Sequence, residues 1–197
     1  MEPDTAQEIV CQQVLMEDST VYSRQWMTLP GGQSGMFSPR FLLERYLAYI
    51  RSWTLGIVRP VPTADGGLEF RLFGTGICLI SFSSQSVQDT GDGMELVLRI
   101  SGGVLVQRGE CNRGELSLSV EPSTDGTTVS LRLADYCPLL LGGNRPSRLR
   151  KLLYRFTQAY IHRLVTVNFL ADCYRELAGK DAAVRLVRRR LRGMEEI

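Results

Sequence analysis

Residues 94–100 read MELVLRI, residues 116–120 read LSLSV, and residues 144–178 read NRPSRLRKLLYRFTQAYIHRLVTVNFLADCYRELA. In the first two stretches an apolar side chain recurs at every second position, as half-buried antiparallel strands require. In the third the period changes to that of a helix. At 100° per residue, Leu149, Leu153, Phe156, Tyr160, Leu164, Val167, Ala171 and Tyr174 fall within one arc of about 80°. Asn144-Arg145-Pro146-Ser147 opens this helix and Gly179 closes it, so it runs for about 48 Å. A strand meander that gives way to one long C-terminal helix decides the fold.

The same reading extends upstream. Residues 68–72 alternate apolar and charged side chains, and they pair with residues 57–62 across a turn that contains Asp65-Gly66. Asp-Gly supplies the positive φ of a hairpin turn. Residues 77–82 and 104–107, the latter after Gly102-Gly103, read as strands, and Asp125-Gly126 turns the chain into another at 128–133. Before the meander, Ser38 caps a helix whose first position is Pro39, and Gly56 ends it. Leu42, Tyr46, Tyr49, Ile50 and Trp53 lie along it at helical spacing. Residues 9–16 and 20–28 form an opening strand or hairpin. The prediction is an α+β fold, a curved antiparallel sheet of about seven strands wrapped around a long C-terminal helix. It occupies one domain over residues 9–178. Residues 1–8 are loose, and residues 179–197 are a basic amphipathic tail with a short helix over 180–193.

Composition excludes several classes. The chain has 197 residues, 44% of them hydrophobic, one histidine and five cysteines. No uncharged apolar run reaches the roughly 18 residues of a membrane span. The first twenty residues hold five carboxylates and no Lys or Arg, the reverse of a secretory leader. Cys11, Cys78, Cys111, Cys137 and Cys173 are widely spaced and odd in number. They argue for free thiols in a reducing cytoplasm, against a disulfide framework, and against a metal site. No cofactor is implied.

Local motifs favour plain structure over chemistry. Gly74-Thr75-Gly76 lacks the third glycine and the helix of a phosphate loop, and reads as a strand kink. Gly32-Gln33-Ser34-Gly35 is one residue short of a nucleophile elbow. His162 lies about 200° from the middle of the helical stripe, facing away from the core expected there. Asp135 precedes the long helix and reads as a turn former.

Charge is unevenly spread. Residues 1–145 carry 11 basic and 16 acidic side chains; residues 146–197 carry 12 and 5. Arg185, Arg188, Arg189, Arg190 and Arg192 cluster in the tail. Peripheral contact with an anionic membrane is the partner such a segment fits; no zinc-finger or aromatic-rich signature points to nucleic acid. Ile161, Val165, Phe169 and Cys173 form a second apolar edge on the long helix. The tail, or a second subunit in a homodimer, is expected to bury it.

The order of elements resembles the helix-grip fold of the START-like superfamily, also called SRPBCC, over residues 9–178. The resemblance rests on that order, the glycine-rich bends and the terminal helix. It implies a cavity between sheet and helix for a hydrophobic small molecule, bound or carried without catalysis. Trp53, Phe70, Tyr136, Phe156, Tyr160 and Leu164 are the candidate lining, and Ile161, Val165, Phe169, Arg188, Arg189 and Arg190 the candidate interaction surface. Two alternatives stand beside it. One is a cyclase- or hydrolase-type enzyme using Tyr136, Tyr160 or Asp135 in that cavity. The other is an interaction protein acting through its basic tail.

Overall fold

Almost every stretch with a period of two becomes a strand. In the computed structural model, which describes residues 6–31, 37–107, 113–142, 147–189 and 195–196, β1 (Gln7–Leu15) and β2 (Val21–Pro30) form the opening hairpin. The meander comprises β3 (Val58–Pro62), β4 (Leu68–Leu72), β5 (Cys78–Phe82), β6 (Ser86–Asp89), β7 (Met94–Gly102), β8 (Glu115–Ser123) and β9 (Gly126–Tyr136). Residues 104–107 make only one bridge, Val106 to Pro138. Helix α1 (Pro39–Trp53) starts where Ser38 accepts a hydrogen bond from the Phe41 N–H. The long helix starts where Ser147 accepts one from the Arg150 N–H. It runs on without a break as α2 (Arg148–Tyr154), a π-helical turn over Arg155–Ala159, and α3 (Tyr160–Ala178).

The sheet order is β10-β1-β2-β9-β8-β7-β5-β4-β3, with β6 beside β7. Among the described residues it has eleven strands against the seven expected. One of them is the two-residue β11 (Glu195–Glu196), paired with β1. The pairing is antiparallel except between β1 and β10. Register shifts at Val21/Ser23, Phe70/Arg71 and Ser81/Phe82 bend the sheet. At Gly103, φ is 113°, and a Cβ there would sit 2.4 Å from the Leu79 carbonyl oxygen, so only glycine lets the backbones approach. The result is the α+β helix-grip arrangement: a curved, largely antiparallel sheet packed on a long C-terminal helix.

Three expectations need correction. The short helix over 180–193 is absent where the chain is described. Instead β10 (Val184–Arg188) pairs in parallel with Gln7–Cys11, and Arg185 pairs with Glu8. The open edge of β1 offers unpaired backbone groups, and a Val-Arg-Leu-Val-Arg segment with β-branched residues satisfies them better as a strand. Arg190 and Arg192 lie outside the described residues. The thiols are not all free: Cys78 and Cys173 are, but Cys137 is disulfide-bonded, so the argument for a reducing cytoplasm loses its support.

The third correction concerns the phase of the long helix. The N-terminal half of the predicted stripe lies in solvent, while in the C-terminal half Ala171 is buried and Val167 and Tyr174 pack against the core as expected. Leu149 and Phe156 are 74% and 70% exposed, and Leu153 and Tyr160 are exposed too. Val165, Phe169 and Cys173, expected on the outer edge, are buried. The cover is α1, neither the tail nor a second subunit: the Phe169 ring packs 5.2 Å from that of Tyr46 and 5.7 Å from that of Tyr49. Between the two halves the π turn inserts one residue, so that Tyr154 and Ala159, five positions apart, lie on one buried face. That face continues through Thr166, Phe169 and Cys173.

Candidate functional site

The inner face of the sheet is mostly apolar, and its buried polar side chains gather chiefly on β1 and β2. On β1 the inward positions are Ile9, Cys11, Gln13 and Leu15; on β2 they are Val21, Ser23, Gln25, Met27 and Leu29. Cys11 stands opposite Gln25 and Gln13 opposite Ser23. These polar side chains are buried beneath the long helix. Gln13 Nε2 donates to Ser23 Oγ and to the Ala159 carbonyl oxygen, both at 3.2 Å. One amide end of Gln25 meets Ser23 Oγ at 2.8 Å and Cys11 Sγ at 3.5 Å. Its other end has no partner, although Gln25 is fully buried. A buried polar atom left unpaired costs about 1–3 kcal/mol.

A second half-paired amide comes down from the π turn. Gln158 Nε2 donates to Tyr136 Oη at 3.4 Å, and its Oε1 is buried without a partner. Tyr136 itself donates to the Leu105 carbonyl oxygen at 2.8 Å. Burial pushes the Tyr136 phenol well above its ordinary range, and burial together with the nearby Tyr136 does the same for Tyr154. Both stay protonated donors. His162 lies on the same side of α3 as Phe169, on which α1 packs, opposite to the sequence expectation. Part of its surface still reaches solvent, yet the protein around the ring pushes its imidazole down to about 4, so it is neutral at pH 7. Two half-paired glutamines, a serine and protonated phenols can exchange hydrogen bonds with an uncharged or weakly polar group. They offer neither a charged nucleophile nor a counter-ion.

The six candidate lining residues do not converge. Tyr136 belongs to this cluster. Phe70 packs edge-on against Phe82 at 5.6 Å, Leu164 is half-buried, and Trp53 is exposed at the end of α1. Phe156 and Tyr160 face solvent. The enzymatic set does not assemble either: Tyr136 is buried, whereas Asp135, in the left-handed region at φ 50°, and Tyr160 are exposed. Of the interaction set, Ile161 is exposed, and Arg188 sits on β10. Arg189 follows it and stacks over Trp26 at 5.9 Å, with Arg24 over the same indole at 5.2 Å. A hollow of about 440 Å³ at the start of β1, lined in part by Gln7, Trp26 and Tyr174, is open to solvent and shares none of the six. Sequence reading missed the glutamines, although the signal was present: Gln13, Ser23 and Gln25 hold inward positions in strands whose other inward residues are mostly apolar.

No family model matches the chain, and no curated protein does. Among solved structures it is similar to CalU16 from Micromonospora echinospora. The solution structure of that protein is 14% identical, with 68% of this chain and 64% of that one covered and a TM-score of 0.32. Against its crystal structure the values are 15%, 89%, 86% and 0.33. The chain thus spans a little under two-thirds of the CalU16 solution structure.

Proposed function

We propose that the protein binds a hydrophobic small molecule carrying an uncharged hydrogen-bonding group, in the space between the inner sheet face and the long helix. The half-paired Gln25 carries this reading: a fully buried amide with one empty end is costly unless a ligand completes it. Gln158 across the site offers a second acceptor, and the apolar inward residues of β1, β2 and β9 suit the rest of such a molecule. The π turn above the cluster fits this reading, since such turns occur often at functional sites. The layout is the one that the START-like resemblance implies, and binding there calls for no catalytic group.

Native mass spectrometry of the purified chain, offered a mixture of long-chain fatty alcohols, fatty acids, sterols and plain alkanes, tests it. Retention of the polar-headed members over the alkanes is the expected result. Gln25→Leu is expected to abolish that preference while leaving the protein at least as stable, because an apolar side chain there removes an unsatisfied group. Unselective binding, no binding, or an unchanged preference in Gln25→Leu would each overturn the reading.

A further inference from the structure

The N-terminal half of the long helix presents an apolar face that nothing among the described residues covers. Leu149, Leu152, Leu153, Phe156, Tyr160 and Ile161 are all exposed, at 74% for Leu149 and 70% for Phe156. Allowing for the extra residue of the π turn, they share one arc opposite Tyr154, the buried anchor of this half. Cations flank the arc: at about 100° per residue Arg150 falls on one side and Arg148 and Arg155 on the other, with Lys151 beyond them. From Asp135 to Asp172 the chain carries six basic side chains and no acidic one between those two. Among the described residues no carboxylate pairs with Arg148, Arg150 or Arg155.

We propose that residues 148–161 are a membrane-docking face. The half-helix lies flat on an anionic lipid surface, with Leu149, Leu153, Phe156 and Tyr160 inserted at the level of the acyl-chain boundary and Arg148, Arg150 and Arg155 meeting lipid phosphates. The charge pattern selects this occupant. A second copy of the chain would bring its own arginines against these with no carboxylate to meet them, so self-pairing is repulsive. A helix with bulky apolar and aromatic residues on one side and only cations at its borders matches the interface of an anionic bilayer. The fold turns this face outward: α1 and α3 run antiparallel, Arg45 pairing with Glu176 and Tyr49 packing on Phe169, so α1 covers only the C-terminal half. The turn after α1, where Leu55 is 90% exposed and Ile57 is exposed, points towards the same end of the molecule as the uncovered half. The placement is independent of the buried polar cluster, and its failure would leave the ligand reading untouched.

Flotation of the full chain with phosphatidylcholine vesicles, with and without about 30% phosphatidylserine, is the test. The expected result is binding to the anionic vesicles, weak binding to the neutral ones, and release as salt is raised towards about 0.5 M. Phe156→Asp and, separately, Leu149→Asp are expected to weaken binding roughly tenfold or more. Both side chains are solvent-exposed, so circular dichroism and melting temperature should stay at the wild-type values. Arg148→Gln combined with Arg155→Gln should remove the preference for phosphatidylserine. Equal binding to neutral vesicles, wild-type binding by both aspartate variants, no vesicle binding at all, or a concentration-dependent dimer that Phe156→Asp splits would overturn the proposal.

Discussion

The two halves of one helix differ in what covers them. Residues 148–161 and 162–178 form a continuous helical segment, yet the first leaves its leucines and aromatics in water and the second buries residues on several sides. What separates them is cover. The second half lies between the inner sheet face and α1, and Phe169 fills the gap between Tyr46 and Tyr49. The first half extends past α1 and holds to the sheet through Tyr154, Ala159 and the Gln158–Tyr136 contact. An apolar stripe on a helix therefore marks a core only where another element is close enough to cover it.

The sharpest way to break this comparison is to truncate one aromatic from each half. Phe169→Ala removes a ring that is 1% exposed and touches two tyrosine rings. It is expected to cost about 4 kcal/mol in denaturant unfolding. Phe156→Ala, on the same helix, should cost about 0.5 kcal/mol or less. Comparable losses from the two would mean that both halves are covered.

Most of the fold was legible. The period of two located β4, β7 and β8, β-branched and aromatic content the opening hairpin, and Asp-Gly turns β3 and β9, while Ser38-Pro39 and Ser147 marked both helix starts, because turn and cap chemistry is local. The face of the long helix was not legible, for a physical reason. The wheel set Val165, Phe169 and His162 opposite the expected core, but α1 packs on Phe169 there, and no helical period announces a second covering element. Of the candidate lining, Phe156 and Tyr160 are exposed and Tyr136 is buried. The strand nature of residues 184–188 was hidden because it depends on the free edge of β1, which no local pattern announces. Deleting Thr157 makes the role of the inserted residue testable. It leaves Tyr154 and Ala159 four positions apart in a regular α-helix, still on one face, so the expected cost is about 1 kcal/mol or less. A loss as large as that of Phe169→Ala would show that the π turn does more than absorb one residue between two aligned halves.

A pH-dependent effect sharpens the comparison at the join of the two halves, where His162 sits. Burial holds its imidazole near 4 in the folded chain, against 6.5 for an exposed histidine. Between those values the unfolded chain binds a proton that the folded chain refuses, so stability rises with pH across that window. The contribution is fully present above about pH 7 and is lost as pH falls through 6.5 towards 4, by at most about 3 kcal/mol and by less where solvent reaches the ring. Carboxylates titrate over the lower part of the same range, so the informative quantity is the difference between the wild type and His162→Gln. Urea unfolding at half-unit intervals from pH 7.5 to about 4.5 should show the wild type losing stability faster than the variant, starting near pH 6.5. Parallel curves would place His162 in water at both ends of the titration. The uncovered character of residues 148–161 would then extend past the π turn, and the boundary between the halves would move from His162 to Val165.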